Sequence, residues 1–227
     1  MRKLSKIGAV LVAVSALTAI GASAAQATVS TFGWASGTTK IERSANTAQV
    51  FTVTNSSHQT LGSFDCNTVV ANATVSGTGA ADVTSDAGTL TYNNSGSADT
   101  CPASIGTATI TTHNCEYTFH PGTSTGAGKS TGTVDIVNCP TTAPIEVNVS
   151  VLCLIKIANQ TGIGPVTYTT TATTPSTITA EINAVNSITT SSSGACGTGG
   201  VVGDYSGDVT FEGTTAAGVQ TAIKVLP

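Results

Sequence analysis

The chain has 227 residues, of which only 9% are charged and 4% aromatic, and its formal net charge is −4. A soluble domain is usually about one-quarter charged. Eight basic residues are too few for a nucleic-acid face, which needs clustered Lys and Arg against phosphates. The 43 Thr, 22 Val and 14 Ile, set against 8 Leu, favour strands over Leu-rich amphipathic helices, because β-branched side chains have a restricted χ1.

Residues 1–27 have the three parts of a secretory signal. Arg2, Lys3 and Lys6 form a positive start. Ala9 to Ile20 is an apolar run, shorter than the ~20 residues a bilayer span requires. Ala22-Ser23-Ala24 and Ala25-Gln26-Ala27 both fit a small-x-small cleavage site. Cleavage after Ala27 leaves residues 28–227, with net charge −7 and no membrane span. This places the protein outside the cell.

Strand signals then recur about every ten residues. They fall at Gln49–Thr54, Val69–Val75, Gly106–Thr112, Val166–Thr171, Thr177–Ala184, Asp208–Phe211 and Gln220–Val225. The clearest run is Ile145, Val147, Val149, Val151, Cys153, Ile155 and Ile157, with every second residue apolar or Cys. Read as one strand, it turns Cys153 into the core. Gly, Ser, Thr and Asn clusters separate the runs, as at Thr78–Ala81, Asn93–Ser97 and Ser191–Gly200. Short strands at this spacing predict an all-β antiparallel β-sandwich, immunoglobulin-like or related. One secreted domain over 28–227 is expected. The alternative is two small β units meeting near 111–114.

Six cysteines, Cys66, Cys101, Cys115, Cys139, Cys153 and Cys196, lie beyond the signal. An even number in an exported chain reads as disulfides. Successive spacings of 35, 14, 24, 14 and 43 contain no close pair of the kind zinc sites use. Cys115-Glu116-Tyr117-Thr118-Phe119-His120 and Gly132–Cys139 are strand-like, and Pro121–Thr131 between them reads as a flexible loop. An antiparallel hairpin centred near Ala127 sets Cys115 opposite Cys139, within disulfide reach. Sequential order then pairs Cys66 with Cys101 and Cys153 with Cys196.

Several strings imitate catalytic motifs. Gly122-Thr123-Ser124-Thr125-Gly126 matches G-x-S-x-G, but no helix follows to form a nucleophile elbow. Gly128-Lys129-Ser130 nearly spells a P-loop, with Thr123 where the first Gly belongs. His113 falls on the strand face opposite Glu116 and His120, and the latter two are ~13 Å apart, so they share no metal ion. His58 reads as a loop residue. Asp204 and Asp208 flank Tyr205-Ser206-Gly207, which reads as an Asp-stabilised turn without an EF-hand pattern. Tyr117, Phe119 and Phe211 read as core. Trp34 is placed neither inside nor outside. Catalytic, cofactor and metal residues are therefore expected to be none.

From Cys66 to Gly213 the chain resembles a group of uncharacterised secreted proteins of high-GC actinobacteria. The likeness rests on Thr89-Leu90-x-Tyr92, Asn114-Cys115-Glu116-Tyr117, Val134-Asp135-Ile136 and Cys153-Leu154-Ile155-Lys156-Ile157, with Asn159-Gln160, Tyr168 and Tyr205-Ser206-Gly207. It implies secretion, a β-rich fold and disulfides, and carries no activity. The expected function is that of a non-catalytic extracellular or cell-envelope β domain, structural or partner-binding. Its partner would be an envelope or extracellular protein or glycan. The alternatives are a secreted hydrolase with unidentified acidic residues and a small-ligand or glycan binder.

Overall fold

The computed structural model describes residues 27–45, 47–54, 60–94, 100–150, 153–194 and 199–227. The signal segment up to residue 26, Asn55, His58 and Cys196 lie outside them. The fold is all-β, and no helix occurs among the described residues. The first strands are β1 (Thr31–Trp34), β2 (Lys40–Ala45), β3 (Gln49–Thr54), β4 (Thr60–Cys66), β5 (Thr68–Thr74) and β6 (Gly79–Ala80). Short pieces follow: β7 (Val83–Thr84), β8 (Thr91–Asn93), β9 (Thr100–Pro102) and β10 (Thr107–Thr111). Then come β11 (Glu116–Gly126), β12 (Lys129–Val137), β13 (Ile145–Val149), β14 (Cys153–Ile157) and β15 (Gln160–Thr170). The chain closes with β16 (Ile178–Gly194), β17 (Gly199–Thr214), β18 (Gln220–Thr221) and β19 (Ile223–Leu226).

The long hairpin β16–β17 organises the rest. The first half of β16 pairs with β15, which continues to β12, β11 and β7. Its second half pairs with β14, followed by β13, β10 and β9. On the other side, β17 pairs with β3 through 202–206 and with β2 through 209–214. A register shift between Ala184 and Ile188 separates the two halves of the hairpin. The sheet curls until its far edges touch. A Phe64–Ala103 bridge joins β4 to the residue after β9, and Asp86 N donates to Asn72 O of β5 at 2.6 Å. All the pairings are antiparallel, and β19, β1 and β6 form a small second sheet.

Alternation places Val, Ile and aromatic residues inside. Ile145, Val147, Ile155, Val166, Tyr168, Ile178 and Val209 are almost fully buried. Thr occupies much of the outside without adding charge. Thr84 and Thr118 stand opposite each other, hydroxyl to hydroxyl at 2.8 Å. Such cross-strand pairs each stabilise by a few tenths of a kcal/mol up to ~1 kcal/mol.

Two disulfides fasten the described strands, Cys66–Cys101 and Cys115–Cys139, with Cα–Cα distances of 5.0 and 4.2 Å. Cys153 is also disulfide-bonded and 6% exposed. Its expected partner, Cys196, is outside the described residues.

Four sequence expectations are corrected. The run Ile145–Ile157 is a hairpin, β13 and β14, with Val149 opposite Cys153 and Ser150 at φ 52°. Directly opposed residues point to the same face, so Val149 and Cys153 keep the period-two pattern across the reversal, and Val151 lies outside the described residues. Pro121–Thr131 is no loose loop, because β11 and β12 continue through it to a turn at Ala127-Gly128. Tyr205-Ser206-Gly207 is no turn, since it lies within β17 with Asp204 opposite Thr52 and Asp208 opposite Glu181. The supposed separator Ser191–Gly200 likewise holds the end of β16 and the start of β17.

Candidate functional site

Strand β2 carries Ile41 and Arg43 on its inward face, 2% and 3% exposed. A position that alternation reserves for an apolar side chain therefore holds a guanidinium. Its Cζ lies 5.9 Å from the centre of the Tyr117 ring and 5.5 Å from that of Phe119. These are cation–π distances. The buried Nε and Nη1 have no hydrogen-bond partner, and among the described residues no carboxylate pairs with Arg43.

Three tyrosines from distant segments line the same cavity as this cation. Tyr92 comes from β8, Tyr117 from β11 and Tyr205 from β17. Tyr92 OH donates to Tyr117 OH at 3.2 Å, and Tyr205 OH donates to Gln49 Oε1 at 2.6 Å. Tyr205 is also in hydrogen-bond contact with Arg43 and Tyr92. Burial, reinforced by the neighbouring tyrosines, holds the Tyr117 and Tyr205 hydroxyls well above the usual tyrosine range despite the opposing effect of Arg43. Both stay protonated at neutral pH. A cavity of about 50 Å³ adjoins these groups. Its remaining lining is apolar, including Phe51, Phe64, Ile136 and Ile182.

A second cluster is at the surface. His120 Nδ1 is 2.7 Å from Asp82 Oδ1, and Nε2 is 3.0 Å from Asp135 Oδ2, off the line of its N–H. Asp135 also accepts from Gly162 N through Oδ1 at 2.8 Å. Desolvation lowers the His120 pKa, but the contacts with Asp82 and Asp135 outweigh it and raise the pKa above 6.5.

His113 is not on a strand. It lies between β10 and β11 at φ 49°, with Nε2 3.6 Å from Glu146 Oε2. Glu146 stands opposite Lys156, with Oε1 and Nζ 2.9 Å apart. Glu116 accepts from Asn138 Nδ2 at 2.7 Å. His113, Glu116 and His120 are thus dispersed among different partners. Ser124 is extended in β11 opposite Ser130, far from elbow geometry. Phe119 and Phe211 are core, Tyr117 packs against the core half-buried, and Trp34 is 6% exposed with its indole donating to Gly77 O at 3.0 Å.

Sequence reading missed Arg43, Gln49, Asp82 and Asp135. Arg43 was detectable as the charged residue two positions on from Ile41 in a run that alternation reads as strand. Asp135 was detectable too, because it faces Thr118, two residues along the same face from His120. Asp82 arrives from outside that hairpin and had no local signal.

Comparison with known proteins found no matching family, no similar curated protein and no similar solved structure.

Proposed function

We propose that this is a non-catalytic extracellular or cell-envelope β domain, structural or partner-binding. One observation carries the reading. The ionisable groups that converge in the interior are a guanidinium and tyrosine hydroxyls that burial keeps protonated, and the acceptor beside them, Gln49 Oε1, is a neutral amide already bonded to Tyr205. General base catalysis needs an acceptor poised to take a proton. The carboxylates of Asp82, Asp135 and Glu146 instead face cations or histidines at the surface. Two disulfides support export to an oxidising compartment. The sequence signal at 1–27 and the resemblance to secreted actinobacterial proteins favour the same location.

The test has two arms. The purified protein is screened against esters, peptides and polysaccharides, and it is used as bait on the producing cell's envelope fraction. Specific, saturable capture of an envelope protein or glycan without turnover is expected. Turnover abolished by one acid-to-amide substitution would overturn the reading in favour of a hydrolase.

A further inference from the structure

A guanidinium is charged throughout the physiological pH range. Buried with no acid beside it among the described residues, it leaves a desolvation penalty only partly offset. Two aromatic faces supply cation–π attraction to Arg43, yet Nε and Nη1 remain without acceptors. Tyr117 adds another donor, since its hydroxyl accepts from Tyr92 and keeps its own proton to give. Neither Tyr117 nor Tyr205 can serve as a tyrosinate counter-ion, because burial keeps both protonated. The site thus presents positive charge and several N–H and O–H donors beside an otherwise apolar cavity.

We infer that Arg43 and Tyr117 form a binding site for one small monovalent anion, a halide or the carboxylate of a one-carbon acid. Charge sets the sign of the ligand. Size sets the rest. A cavity of about 50 Å³ admits a few water-sized atoms. Pockets for sugars or lipid chains are larger, roughly 300–1,000 Å³. An anion here would accept the unused N–H groups and cancel the buried charge, and charge-assisted hydrogen bonds are the strong ones. The inference is independent of whether the outer surface docks a partner.

The probes are sodium bromide and sodium formate, added to the intact disulfide-bonded protein at constant ionic strength set with sodium gluconate, whose anion is too large to enter. A saturable rise in Tm is expected, since a ligand that binds only the folded state stabilises it. Bromide anomalous scattering in a crystal is expected to peak between Arg43 and Tyr117. A response to bromide alone assigns a halide site, and a response to both probes assigns a general small-anion site. Arg43→Met keeps the volume without the charge and should lose the saturable response. Should that variant fail to fold, Tyr117→Phe removes one donor and should weaken bromide binding about tenfold. Equal responses in wild type and variants, or water alone in the cavity, would overturn the inference.

Discussion

The side chain of Gln49 fills the space that a side chain on Gly207 would need. A Cβ on Gly207 would lie 2.6 Å from Gln49 Oε1. Gln49 cannot easily withdraw. Its Nε2 donates to Thr47 O and Asp208 O at 2.9 and 3.1 Å, and its Oε1 accepts from Tyr205. Gly207→Ala should therefore destabilise by roughly 1–3 kcal/mol, the usual range for overpacking. Urea unfolding measures it. The double variant Gln49→Ala/Gly207→Ala should recover part of the steric loss, giving a non-additive cycle.

His120 makes stability depend on pH near neutrality. Its folded pKa is raised above 6.5 by Asp82 and Asp135 against the cost of burial. The stabilisation is fully present below the unfolded value and is lost as pH rises through the folded one. Urea midpoints should fall across that window. His120→Asn should flatten that part of the profile.

Glu146 has the opposite sign. Its hydrogen bond to Lys156 holds the carboxyl below its ordinary value of 4.5 against some desolvation, with His113 helping. The contribution is present above 4.5 and is lost as pH falls through the lowered folded value. The pair is partly exposed, with side chains 25% and 42% accessible. Glu146→Gln should cost about 0.2–1 kcal/mol at neutral pH, and less in high salt. Salt-dependent denaturation measures this.

Removing Cys115–Cys139, which closes a loop with sequence separation 24, should cost roughly 3–4 kcal/mol by the chain-entropy estimate. Cys66–Cys101, at separation 35, should cost slightly more. Denaturant unfolding of the paired Cys→Ala variants gives both values. Non-reducing peptide mapping should return these two bridges and Cys153 joined to Cys196.

Local pattern carried the fold further than the site. Cys115 and Cys139 flank a single hairpin, so pairing could be reasoned from the strands between them. The Ile145–Ile157 run showed which residues face inward but not where the chain turns. Val149 and Cys153 share a face whether the run is one strand or two paired ones. The Arg43 site resisted for a different reason. Arg43, Tyr92, Tyr117 and Tyr205 come from β2, β8, β11 and β17, and no short-range periodicity reports such a meeting.

The shared hairpin β16–β17 has a consequence for the order of assembly. Strands β3 and β2 both need β17 as a neighbour, while β14 and β15 both need β16. All four are made before residues 178–214. Until that late segment emerges, these strands lack the partner that joins them into one sheet. The early chain must wait with apolar edges open, so folding is post-synthetic and rich in long-range closure. A chain truncated before residue 178 should remain aggregation-prone rather than settle into a smaller native form.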